Sequence, residues 1–236
     1  MIVTTMLTLA RQRVNSPMRM ILAVAFFGFG VIGVLFTGSI GGLARGQMSA
    51  FAFLAAAGLI GQEVSSGVLT LAFARPMRRA EWVVGRWLGA SAVAAALIVL
   101  QVLVATAVSV MRHGDPTFQL VALKLLDGVL ASVGLCAVLT MFSSLVPGLG
   151  DLGLLLLGTF LGGGLSAAGM HYQISWIARA GTEVQSFLNV GLDPAPFFGQ
   201  GAISWFAVVS YFSTLAICLV VAIHAVNRKE LSYASG

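Results

Sequence analysis

Charge is what this sequence has least of. Only 9% of its 236 residues are Asp, Glu, Lys or Arg, against 58% hydrophobic, and the mean hydropathy is +0.98. Soluble domains carry roughly a quarter charged residues. A chain this poor in charge cannot cover a water-facing surface, so it reads as an integral membrane protein. Cysteine is scarce too. Cys136 and Cys218 stand alone in apolar runs without CxxC or Cys/His spacing, as small packing residues do, and they say nothing of redox compartment. The three histidines match no metal-ligand spacing. No Walker-type phosphate loop (Gly, four residues, then Gly-Lys-Ser/Thr) occurs. Any nucleotide that drives the protein must therefore bind another polypeptide.

The charge that is present is basic, +5 net with a pI near 9.9. In a soluble protein that balance would point to nucleic acid. Here most Lys and Arg sit in short loops, as the positive-inside rule requires, and no nucleic-acid partner is expected. No low-complexity tract or internal repeat stands out.

Along the chain, residues 1–17 read as an interfacial helix. Val3, Met6, Leu7, Ala10 and Val14 share a face opposite Thr4, Thr8 and Arg11, and Asn15-Ser16-Pro17 breaks the pattern. No small-residue cleavage pattern follows, so the first apolar run is expected to stay as a signal anchor. Six spans are expected, at about Met20–Thr37, Gln47–Gln62, Trp87–Met111, Gly128–Val146, Leu152–Ala168 and Ala202–Val226. Lys124 and Asp127, too costly at a span's centre, are placed at the outer headgroup level as an i,i+3 pair. Asp151 reads as the N-cap of the fifth span. Residues 169–200 form the longest extramembrane stretch, with a short amphipathic helix around Trp176, Arg179, Glu183 and Phe187.

Six spans put both termini on one side. Arg11, Arg13, Arg19, Arg75, Arg78, Arg79, Arg86, Arg228 and Lys229 share that side, against Arg45, Arg112, Lys124 and Arg179 on the other. The bias makes the termini, and the charged insert 63–86, cytoplasmic, with residues 169–200 extracytoplasmic.

Enzyme motifs fail on inspection. Gly28 to Gly33 spells GxGxxG, but inside an apolar span it is helix-packing glycine rather than a dinucleotide loop. Gly148-Leu149-Gly150-Asp151 matches the GxGD of intramembrane aspartyl proteases, whose site needs two carboxylates at close range. The other span-associated aspartate, Asp127, lies one helix-length away, roughly 36 Å by helical rise. Ser166 lacks the final glycine of the membrane serine-protease motif and lies at the end of the bundle opposite His224.

The insert is the informative part. Glu63-Val64-Ser65-Ser66-Gly67-Val68-Leu69-Thr70-Leu71 leads to Ala74-Arg75-Pro76, then to Arg78-Arg79-Ala80-Glu81 and Gly85-Arg86-Trp87-Leu88-Gly89. An acidic residue ending span two, a small-residue-and-leucine segment, a basic-Pro turn, a basic pair and a Gly-basic-x-x-Gly start to span three follow in order. This resembles the permease subunits of type-2 ABC exporters, with Val68 standing where threonine is usual. Six spans, the leading interfacial helix and the long outer loop extend the resemblance to nearly the whole chain.

The resemblance implies an all-α membrane protein, one permease domain over 1–236, with a cytoplasmic coupling helix between spans two and three. It implies an ATP-driven exporter subunit without its own catalytic site, cofactor or metal, with ATP and Mg held by a partner ABC ATP-binding subunit. A second permease copy, identical or related, completes it in an inner (plasma) membrane. Glu63, Gly67, Leu69, Leu71, Arg75, Pro76, Arg78 and Arg79 are the expected coupling residues, with Glu63 paired to Arg75, Arg78 or Arg79. A haem-exporter-like or copper-enzyme-maturation permease is the nearest alternative. A membrane scaffold or assembly factor and an intramembrane protease are more distant ones. The few polar residues in the spans (Gln101, Thr106, Ser109, Thr140, Ser143 and Thr159) favour a lipid, drug or peptide as cargo over an ion or sugar.

Overall fold

The computed structural model describes residues 2–14, 16–43, 45–65, 78–112 and 114–233. Among them are nine α-helices and no strand: α1 Ile2–Val14, α2 Pro17–Thr37, α3 Arg45–Ala56, α4 Gly61–Ser65, α5 Arg79–Met111, α6 Phe118–Leu145, α7 Gly150–His171, α8 Ser175–Leu188 and α9 Trp205–Tyr233. Five of them (α2, α5, α6, α7 and α9) are long and apolar enough to cross a membrane. The second expected span is instead a shorter apolar stretch, Met48–Glu63, interrupted between α3 and α4. The expected coupling helix falls on residues 66–77, outside the described residues.

Local chemistry sets the boundaries. Pro17 opens α2 where a missing N–H costs nothing, and Gly38 closes it at φ +67, returning its N–H to the Val34 carbonyl. Thr117 caps α6 by accepting from the Leu120 N–H. At 33 residues, α5 is about 50 Å long, well beyond a hydrocarbon core of roughly 30 Å. Its first turns therefore carry Glu81 and Arg86 out past the apolar stretch.

The most enclosed elements are α3 and α6. Met48, Phe51, Ala52, Ala55 and Ala56 of α3 and Cys136 to Leu139 of α6 are fully buried, with Ile98 and Val102 of α5 beside them. The outward faces of α2, α7 and α9 expose Phe29, Phe36, Phe160, Phe206 and Val220, a surface suited to acyl chains rather than water. α1 packs along α5, with Leu9 seated on Gly89. Its buried side is thus the Leu9 and Arg13 face, while Val3 and Leu7, expected on the apolar side, stay exposed.

The amphipathic helix expected around Trp176 is α8. It folds back along α7, where Leu188 packs on Gly158, and Gln185 and Val184 pack on Gly162. Those two glycines are the GxxxG of the fifth expected span, and small side chains there let the helices approach closely. Beyond α8, Val190 fits against Gly134 of α6.

Candidate coupling site

The second apolar segment bends sharply at residues 57–60, near its junction with the insert. Gly58 sits there at φ +65, a left-handed conformation that costs a side-chain-bearing residue energy. The bend leaves backbone groups that helix bonds cannot satisfy, and distant side chains supply the partners. The Gly58 N–H donates to Asp151 Oδ2 at 2.6 Å. The Ile60 and Gly61 N–H groups both donate to Ser143 Oγ, at 3.0 and 2.9 Å, and the Gly61 carbonyl accepts from the Gly148 N–H at 2.8 Å. On the other side, the Ala57 carbonyl accepts from Arg13 Nη1 at 2.9 Å and Arg19 Nη2 at 3.2 Å, and the Leu54 carbonyl accepts from Arg19 Nη1 at 3.2 Å. The elbow thus joins α1, the start of α2, the end of α6 and the start of α7.

One expectation is corrected by this geometry. Asp151 is not the N-cap of α7, a position Leu149 occupies. It lies inside the first turn, fully buried, with Oδ1 accepting from the Leu152 N–H and Oδ2 from Gly58 across the elbow. A carboxylate committed to two backbone amides is a structural acceptor rather than half of a proteolytic dyad. Glu63 pairs with Arg86 of α5. Both side chains are mostly buried, at 14% and 12% exposure. Burial pushes the Glu63 carboxyl above its ordinary range, opposed by the charge and hydrogen bond of Arg86. Arg86 also lies 5.4 Å above the Trp82 ring, which holds the guanidinium in place.

Of the other expected coupling residues, Gly67, Leu69, Leu71, Arg75 and Pro76 lie outside the described residues. Arg78 is exposed, in extended conformation at the N-cap of α5. Arg79 Nη1 reaches the Asn227 carbonyl of α9 at 3.5 Å. The residues flanking 66–77 form a fixed base, with Glu63 tied to Arg86 on one side and Arg79 tied to α9 on the other. Sequence reasoning missed Arg13, Arg19 and Ser143 as parts of this base and gave Asp151 another role. Their signal was polarity at the ends of apolar runs, which topology alone seemed to explain.

At the opposite end of the bundle, Lys124 Nζ donates to the Leu43 carbonyl at 3.1 Å. Gln119 Nε2 donates to the Phe198 carbonyl at 2.9 Å. Among the described residues no group of His, Cys, Asp and Glu could hold a metal ion. A family model described as ABC-2 family transporter protein matches residues 3–150, from α1 through the whole of α6. No curated protein matches the chain.

Proposed function

Because the chain belongs to the ABC-2 transporter family, and is thus a multi-pass membrane component of transport, we propose that it is the permease subunit of an ATP-driven exporter, moved through residues 63–86 by a separate ATP-binding chain. The observation that carries this reading is the fixed base of that segment. A push on residues 66–77 reaches α4 and α5 together through Glu63 and Arg86. From α4 it passes through the elbow to α6 and α7, which hold Ser143 and Asp151. Neighbouring helices that share one base move as a unit, which is what rocking between two arrangements needs.

In this reading the motor seats on the apolar residues Leu69 and Leu71, as a short helix seats in a groove. Exposed Arg78 faces acidic groups of that chain, and Arg75, Gly67 and Pro76 shape the turn. ATP and Mg belong to the motor. A second permease, identical or related, completes the pore, with the segment and both termini in the cytoplasm.

The test is co-purification with the cognate ATP-binding subunit. Leu69→Asp and Arg78→Glu are expected to abolish association while membrane insertion stays normal. Undiminished association of both variants would sink the assignment.

A further inference from the structure

Helix α8 starts at the end of the bundle where α7 finishes and runs back along α7 towards the elbow. Ala178 packs on Gly169, Gly181 on Gly162 and Ser166, and Leu188 on Gly158. Gly158 stands about 20 Å by helical rise from His171, the last residue of α7. Just beyond α8, Val190 packs on Gly134, about 24 Å along α6 from its first residue, Phe118. α7 is long and apolar enough to cross a membrane, and exposed Tyr172 and Trp176 mark its far boundary as interfacial aromatics do. The end of α8 therefore reaches the middle of a hydrocarbon core of roughly 30 Å. At that depth α8 has three faces. Gly181, Gln185 and Leu188 pack on α7. Trp176, Ala180, Val184 and Phe187 form a second face, apolar and exposed. Arg179, Thr182, Glu183, Ser186 and Asn189 form a third, polar and equally exposed. The Thr182 and Ser186 hydroxyls donate to the Arg179 and Glu183 carbonyls, both at 2.8 Å, so those donors are satisfied. The charges are not so easily placed. Arg179, one turn below Ser175, can snorkel to the headgroups. Glu183 lies a turn deeper on a shorter stem, where a carboxylate facing acyl chains is costly.

We propose that α8 divides lipid from water: its Trp176 to Phe187 flank faces acyl chains, and its Arg179, Glu183 and Asn189 flank lines a water-filled vestibule sunk to the middle of the bilayer. Water answers each group on that flank. It hydrates the Glu183 carboxylate, the Arg179 guanidinium and the Asn189 amide, for which hydrocarbon offers no partner. The opposite flank shows the converse chemistry at the same depth, so one helix meets two solvents. The vestibule rests on α7 crossing the membrane, and only its sidedness rests on the topology proposed above.

Single added cysteines in the full chain, at Thr182 and Ser186 on one flank and at Ala180 and Val184 on the other, separate the two solvents. A membrane-impermeant methanethiosulfonate is applied to intact cells and then to permeabilised ones. The wild type, whose Cys136 and Cys218 are buried, gives the blank. Thr182→Cys and Ser186→Cys are expected to react from outside roughly tenfold or more faster than Ala180→Cys and Val184→Cys, because the thiolate is the reactive form and ionises in water. Reaction of Thr182→Cys and Ser186→Cys only after permeabilisation would keep the vestibule and reverse the proposed sidedness, so the two failures are distinct. Protection of both under both conditions would overturn the proposal, and a second copy seated on that flank would give this result. Equal rates at all four positions would overturn it too, since the whole of α8 would then lie in water.

Discussion

Glu63 and Arg86 are separated by 23 positions in sequence, one before segment 66–77 and one after it, so their contact closes a loop. Closing a loop of that size has an entropic cost, and a mostly buried ion pair is poor compensation. Desolvation offsets much of the attraction, and here it is the larger influence on Glu63, whose carboxyl is raised above its ordinary value. The pair is therefore better understood as fixing geometry than as adding stability. A raised value in the folded state means that folding favours the protonated carboxyl. The stability it contributes is fully present below the ordinary carboxylate range and is lost as pH rises through the raised value. Glu63→Gln should flatten that slope in the melting temperature between mildly acidic and neutral buffer. If the proposed ATP-binding chain acts through this segment, the same change should weaken stimulation of its ATPase more than it weakens the fold. A slope identical to that of the wild type would remove Glu63 as the titrating group. Arg86→Met is the harsher change, because it removes the charged partner that α5 gives a mostly buried carboxylate.

The break between α3 and α4 belongs to the scale of elements. Its segment reads as one uninterrupted span in sequence, Phe51 to Gln62 being apolar but for the last residue. Gly58 and Gly61 permit a bend there but do not require one. What requires it are Asp151 and Ser143, 93 and 83 positions downstream of the amides they accept from. A tertiary capping arrangement of that kind leaves no periodic trace. By contrast, α2, α5, α6, α7 and α9 were legible, because the hydrophobic run that marks a span is also what buries it in lipid. α8 was legible too, from the spacing of Trp176, Arg179, Glu183 and Phe187, but not its return along α7, which depends on close approach at Gly162 and Gly181. Likewise the motif drew attention to residues 63–86, whereas the fastenings of the neighbouring elbow, Arg13, Arg19, Ser143 and Asp151, come from four separate elements.

The elbow can be tested directly. Asp151→Ala leaves the buried Gly58 N–H without an acceptor and should cost about 1–3 kcal/mol. Asp151→Asn, which keeps an oxygen, should cost less. Gly58→Ala forces a Cβ into a left-handed position, at a cost of about 1–2 kcal/mol, and places it 2.8 Å from the Gln62 side chain. Unfolding in detergent micelles measures all three. An equal loss for the two Asp151 variants would show that the carboxylate acts by its charge rather than by its bond to the elbow.

On the scale of the whole molecule, the contacts sort into two ends. Arg13 of α1, the Ala57 carbonyl, the Glu63 to Arg86 pair and the Arg79 to Asn227 contact share one end. Lys124 with Leu43, and Gln119 with Phe198, share the other. Both α1 and the last turns of α9 thus stand at the same end as Glu63 and Arg86, in keeping with the proposal that both termini share one side of the membrane. Five long helices alone would give an odd number of passes. Under that proposal the remaining pass is residues 45–62, which start next to Leu43 at one end and finish against Arg13 at the other. At 12 residues α3 spans about 18 Å, less than a bilayer core of roughly 30 Å. It is tolerated at that depth because α2, α5 and α6 enclose it and the side chains of other helices satisfy its broken backbone. This reading makes a sharp prediction for sided labelling of single cysteines in intact cells. Cysteines placed at Arg11, Arg78 and Ser232 should be blocked only after the membrane is permeabilised, whereas one at Phe118 should react from outside. Reactivity of position 78 from outside while position 11 stays protected would mean that residues 45–62 do not cross. The coupling segment would then lie on the wrong side for any cytoplasmic motor.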